Sequence, residues 1–194
     1  VRLVIIGGSG SGKSTQAQRL SRDFLVPLIS TGEILRDAME QSSHCTEVNP
    51  TDLGCVVQPY VERGEFVPDE IMIELIRDRL KKSDVSNGWI LEGYPRTAFQ
   101  AEELDFLLDD LQQQLNWAIY LQVPEAVMVN RSLERSLPDD EPEIVQKRVE
   151  LFYDCTVPIL EYYDRRRRLL TINGDQQPEA VQMNIITLLD SSQG

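Results

Sequence analysis

The chain has 194 residues, 41% of them hydrophobic, and a formal net charge of −13. That length fits one domain with a sizeable core, and the acidity argues against a general nucleic-acid binder, which needs a basic face. No apolar run approaches the roughly 20 residues of a membrane span, and the apolar start is too short for a secretory signal.

In chain order, residues 1–6 read as a buried strand. Residues 7–15, Gly-Gly-Ser-Gly-Ser-Gly-Lys-Ser-Thr, follow it and fit G-x-x-x-x-G-K-[ST] from Gly7 to Ser14. A helix is expected over 13–24. Strand, glycine-rich turn and helix start together form a phosphate cradle: backbone N–H groups curl round the anion and the helix N-terminus adds partial positive charge. Gly8, Ser9, Gly10, Ser11, Gly12 and Lys13 would hold the phosphates, and a hydroxyl of Ser14 or Thr15 would hold Mg²⁺. This motif in this context points to a nucleoside triphosphate.

A short strand, 26–29, precedes helices at about 31–41 and 52–63. Ser30 and Glu33 have capping-box spacing at the start of the first. A helix at 69–82 leads to strand 89–91 and helix 97–112. Strand 117–123 is followed by helices at 125–135 and, after a polar break, 143–164. Strand 169–173 and helix 178–190 close the pattern. Short apolar strands alternating with helices predict an α/β fold, a parallel sheet with helices on both faces. Ligands in such sheets sit at the carboxyl ends of the strands.

Glu92 ends a buried strand beside the expected phosphate site, where a carboxylate can orient Mg²⁺ directly or through water. Gly93 and Pro95 shape a tight exit, and the planar fork of Arg96 is held at the strand mouth. Arg165–Arg168 is the single basic run, and it reads as a helix C-terminus and solvated turn. His44 is the only histidine, so Ser-His or Cys-His chemistry is not expected. Cys45, Cys55 and Cys155 lack metal-ligand spacing and suggest reduced thiols in a cytoplasmic or equivalent reducing compartment. The first residue is Val1, not Met, as expected of a piece of a longer protein.

Four stretches in order, the glycine-rich loop to Lys13, Ser30-Thr-Gly-Glu-Ile-Leu-Arg36, Gly64-Glu-Phe-Val-Pro-Asp-Glu70 and Glu92-Gly-Tyr-Pro-Arg-Thr97, resemble the adenylate kinase family over nearly the whole chain. The resemblance implies a five-stranded parallel sheet in a P-loop kinase core, an acceptor-nucleotide excursion at about 30–67 and a short lid at about 130–142. It implies that Lys13 stabilises the transferring phosphoryl group and that Arg36 and Arg96 hold the acceptor phosphate. Thr31, Gly32, Glu65, Phe66, Val67, Gly93, Tyr94 and Gln100 would complete the AMP site. Arg131 and Arg135 would meet the donor, Arg148 would act on the transition state, and Asp139-Asp140 would orient the arginines. Asn173 and Gly174 would pass the donor adenine. ATP, AMP and Mg²⁺ are the implied ligands, with a monomer as the working state and no nucleic acid or membrane partner.

Departures from the family pattern are Ser9 for Pro, Ser14 for Gly, Glu92 for Asp, an apparent insertion at 43–50, and Leu137 where short lids carry Arg. The segment from Arg135 to Asp139 also looks about four residues short, so either one arginine is lost or Arg135 serves in its place. Gln100 matches the glutamine that reads adenine through its amide, which favours AMP over UMP or CMP. A kinase for another monophosphate, and a nucleotide-binding regulatory domain of a larger protein, stay open at this level.

Overall fold

Strands β1 (Arg2–Ile6), β2 (Leu28–Ser30), β3 (Trp89–Glu92), β4 (Trp117–Gln122) and β5 (Leu169–Asn173) pair in parallel in the order β2-β3-β1-β4-β5. They belong to a computed structural model that describes residues 1–42, 52–135 and 140–191. The expected five-stranded parallel sheet is therefore the observed one. Its strands are apolar on both faces because helices cover both. Leu3 and Ile5 of β1 pack with Ile90, Ile119 and Ile172 on one side, under α1 (Lys13–Phe24) and α9 (Pro178–Ser191). Val4 and Ile6 point the other way, into a larger core with Trp89, Leu91 and Ala118. The helices α4 (Asp69–Leu80), α5 (Ala98–Asp110) and α8 (Val157–Arg165) close that side with Ile76, Leu104 and Ile159. Each such aliphatic side chain, buried in full, contributes about 1.5–3 kcal/mol.

The helix ends follow local chemistry. Ser30 precedes α2 (Thr31–Gln41) and its hydroxyl takes the Glu33 N–H. Thr97 caps α5 by accepting from Gln100 N over 3.2 Å, and Asp52 caps α3 (Leu53–Glu62). Arg165–Arg168 ends α8 as expected. There the Arg166 guanidinium stacks on the Tyr162 ring and pairs with Asp105.

Two expectations are corrected. The helix read over 143–164 is α7 (Pro142–Leu151), a π-helical turn at Phe152–Thr156, and then α8. Pro158 has no N–H for the carbonyl four residues back, and its ring crowds that carbonyl, so the ladder widens by one residue before it. The cysteines are not all reduced thiols: Cys55 is disulfide-bonded, while Cys155 is free. His44, Cys45 and the 43–50 segment lie outside the described residues. Among those described, no helix is long and apolar enough to cross a membrane.

Candidate active site

The parallel register brings the site together. Glu92, the last residue of β3, lies beside Ser30 of β2 and Ile5 of β1. The glycine-rich loop, the start of α2 and the 93–97 turn therefore leave the sheet at one edge. The Glu92 carboxylate is buried there and accepts from Ser14 Oγ over 3.0 Å and from Ser30 Oγ over 2.8 Å. The departures from the family pattern at 14 and 92 are thus a bonded pair. Glu92, with the Ser14 hydroxyl and Thr15 beside it, offers only hard oxygen donors beside a phosphate loop, which is the donor chemistry of Mg²⁺. No group of three or more His, Cys, Asp or Glu that could hold a metal occurs among the described residues. A metal here would therefore take much of its coordination from phosphate and water.

The loop is shaped by close approach. Gly10 has φ +77°, and a Cβ there would lie 2.1 Å from the Met128 carbonyl of α6 (Glu125–Arg135). At Gly93, φ +87°, a Cβ would lie 2.2 Å from Thr31 Oγ1. Only glycine fits either place. Ser9, where the family usually has Pro, accepts from Ser132 Oγ at 3.0 Å and from Arg135 at 3.4 Å, which ties the loop to α6.

Cations converge on a cavity of about 420 Å³ lined by the loop, Ser14, Thr15, Arg36, Arg96 and Gln100. Lys13, Arg131, Arg135 and Arg148 also line it. Lys13 donates to Gly8 O over 2.7 Å. Burial lowers its ammonium to about 8; Glu92 opposes the shift, and Arg96, Arg135 and Arg148 add to it. Burial also lowers Arg96, whose guanidinium lies over the Phe66 ring and donates to Gly93 O over 2.9 Å. Arg135 makes a two-point contact with Asp140, at 2.7 and 2.9 Å, and Arg148 approaches the same carboxylate at 3.6 Å.

Behind Arg96, the Gln100 side chain is 2% exposed. Its Oε1 accepts from Arg96 N over 2.7 Å and its Nε2 donates to Asp69 Oδ1 over 2.7 Å. Thr97 Oγ1 donates to the same carboxylate at 3.3 Å.

Of the residues expected at the site, Gly8, Ser9, Gly10, Gly12, Thr31, Gly32, Glu65, Phe66, Val67 and Gly93 also line this cavity. Ser11 and Gly174 line a second cavity of about 430 Å³, which shares Gly12, Thr15 and Arg131 with the first. Arg131 donates to Gly174 O and Asp175 Oδ1 at its wall. Asn173 lines neither cavity and instead accepts from Asp175 N. The Tyr94 side chain does not line the cavity. It is 2% exposed, donates to Gln100 O over 3.1 Å, and belongs to the core beneath the cavity. Leu137 and Asp139 lie outside the described residues.

Sequence reasoning missed Asp69, Phe152 and Thr156. Phe152 and Thr156 reach the cavity from the π-helical turn, and Thr156 Oγ1 donates to Arg96 O over 3.0 Å. The proline that follows was the available signal. A link at the cavity wall was missed too: Lys147 of α7 donates over 2.9 Å to Glu65, which lines the cavity, beside Gly64 packed on Ile144.

The profile of the adenylate kinase family matches residues 5–168. A protein named adenylate kinase 2 from Nostoc sp. is 72% identical over 97% of this chain and 98% of its own length. Adenylate kinase 2 of Synechocystis sp. is 53% identical over 97% of this chain and all of its own length. Adenylate kinase of Bifidobacterium longum is 38% identical over 98% and 100%. The chain belongs to the adenylate kinase family.

Proposed function

We propose that the chain catalyses reversible transfer of the γ-phosphoryl group of MgATP to AMP, giving two ADP. The observation that carries this reading is the single cavity that the phosphate loop, Lys13, Arg36, Arg96, Gln100, Arg135 and Arg148 line together. An acceptor phosphate oxygen attacks the γ-phosphorus as the bond from that phosphorus to the β-bridging oxygen breaks. The acceptor phosphate is ionised at neutral pH, so no protein base is required. Catalysis is positioning and charge neutralisation. The backbone N–H groups of 8–13 hold the donor phosphates, and Arg36 and Arg96 clamp the acceptor phosphate. Lys13, Arg135 and Arg148 neutralise the group in transit.

Ser14, Thr15 and Glu92 would hold Mg²⁺, in part through water; when bound it offsets charge on the donor phosphates. The second cavity, walled by Arg131 and Gly174, takes the donor base, and Gln100 reads the acceptor base. Residues 30–67 form the acceptor excursion and 130–142 the lid, which excludes water from the donor. Both nucleotide sites come from one chain, which supports action as a monomer. A compartment holding ATP, AMP and Mg²⁺, the cytoplasm or its equivalent, is where this chemistry belongs.

A coupled assay of ATP with AMP, GMP, CMP and UMP tests the reading. AMP is expected to give the highest kcat/KM. Higher kcat/KM for CMP or UMP would overturn the acceptor assignment, and no turnover with any would overturn the activity.

A further inference from the structure

A glutamine amide can be read in two orientations. With its oxygen and nitrogen exchanged it presents a donor where it had an acceptor, and a free glutamine serves adenine or hypoxanthine equally well. Adenine offers an acceptor at N1 and a donor at N6. Hypoxanthine offers the reverse, N1–H and O6, on the same ring frame. Discrimination between them requires that the amide be unable to turn over.

In this protein both ends of the Gln100 amide face partners of one polarity. Asp69 is a carboxylate and can only accept, so Nε2 must face it, and it does at 2.7 Å. The Arg96 backbone N–H can only donate, so Oε1 must face it, and it does at 2.7 Å. Turning the amide over would set N–H against N–H at one end and oxygen against carboxylate at the other. Each mismatch strands a buried polar group. Asp69 is held in turn by the Thr97 hydroxyl, and Gln100 is 2% exposed, so water is poorly placed to relieve a reversed amide. Of the amide's two N–H groups and two oxygen lone pairs, one of each is committed. One N–H and one lone pair remain for the cavity that Gln100 lines. That pair matches adenine N1 and N6.

We propose that Asp69 is a specificity-determining positioning residue: it locks the Gln100 amide in the orientation that accepts AMP and rejects 6-oxopurine monophosphates. Asp69 does not touch the nucleotide; it acts through Gln100. The inference rests on the reading of Gln100 as the acceptor-base contact, and the experiment separates the two.

The test measures kcat/KM for AMP and for inosine 5′-monophosphate, with MgATP, in the wild type and in Asp69→Ala, Asp69→Asn and Gln100→Ala. IMP reverses the donor and acceptor at one edge without adding the 2-amino group of GMP. Wild type is expected to favour AMP by roughly 10²-fold or more. Asp69→Ala is expected to lower that ratio by about tenfold or more, chiefly through better use of IMP. Asp69→Asn keeps the size but can turn its own amide and face a reversed Gln100 with N–H₂, so it is expected to lower the ratio in the same direction as alanine. If Asp69→Ala fails to fold, Asp69→Leu fills the space without an acceptor and carries the same expectation.

An equal loss for both substrates in the alanine or leucine variant overturns the proposal, because a merely structural role would act that way. A ratio that Gln100→Ala leaves intact overturns the reading of Gln100 itself. A ratio that collapses in Gln100→Ala but survives in Asp69→Ala overturns the lock alone.

Discussion

Ser14 and Glu92, from segments 78 residues apart, share a hydrogen bond of 3.0 Å in which the hydroxyl donates to Oε1. The other carboxylate oxygen takes the Ser30 hydroxyl, so one side chain fastens the phosphate loop to the start of α2. Glu92→Gln sets an amide N–H₂ against one of these donors and removes the charge that faces Lys13. The Mg²⁺ concentration for half-maximal rate should rise, and kcat/KM for MgATP should fall about 10–100-fold. Steady-state rates across a Mg²⁺ titration check this; an unchanged Mg²⁺ dependence would remove Glu92 from the metal site.

Lys13, given a catalytic role by the proposed function, also bears on stability. Its ammonium is lowered from 10.5 to about 8 in the ligand-free fold, chiefly by burial. Below pH 8 the folded protein therefore carries the full cost of a disfavoured charge. Between about 8 and 10.5 the unfolded chain binds more protons than the folded one, so this group's effect on stability improves as pH rises. Lys13→Met should lower kcat by several orders of magnitude and raise the Tm of the nucleotide-free protein. The Tm gain should shrink between pH 7 and pH 10. A gain independent of pH would assign it to packing instead.

Arg135 is held at two points by Asp140, a side chain 1% exposed, with Arg148 near the same carboxylate. That preorganisation favours a role in the transition state over simple binding. Arg135→Ala should lower kcat roughly 10²-fold with a smaller change in KM for ATP. Steady-state kinetics decide it: a raised KM at constant kcat would confine Arg135 to ground-state contact with the donor.

Thr156 donates to the carbonyl of Arg96 from the π-helical turn. Thr156→Val keeps the shape and strands that carbonyl. It should cost about 1–2 kcal/mol in denaturant unfolding and raise KM for AMP severalfold, because the Arg96 backbone also positions Gln100. An AMP KM equal to wild type would show that the turn supports the fold alone.

The order of elements was legible because local signals coincide. The glycine-rich turn starts α1 at Lys13, and Leu25 in the left-handed region ends it, giving the expected 13–24. Glu92 could be placed because a charge ending an apolar strand needs a reason. The burial of the Tyr94 side chain was not legible, since a tyrosine at a turn serves a core or a mouth equally well. Asp69 and Thr156 escaped because their partners lie 31 and 60 residues away. Such hydrogen bonds are set by how α4, α5 and the π-helical turn pack, and no local spacing carries that. The turn itself was foreshadowed by Pro158, but the apolar period on either side continues as if the helix were unbroken.

Glu65 and Lys147 meet at 2.9 Å with their side chains 36% and 42% exposed. An ion pair that wet is screened by water and holds the joined wall only weakly. A buried, bidentate pair in the same place would hold spent nucleotide in the site and slow its escape. A site that must admit and discharge two nucleotides in each cycle is better served by a slack fastening, one that thermal motion undoes on the timescale of loop movement.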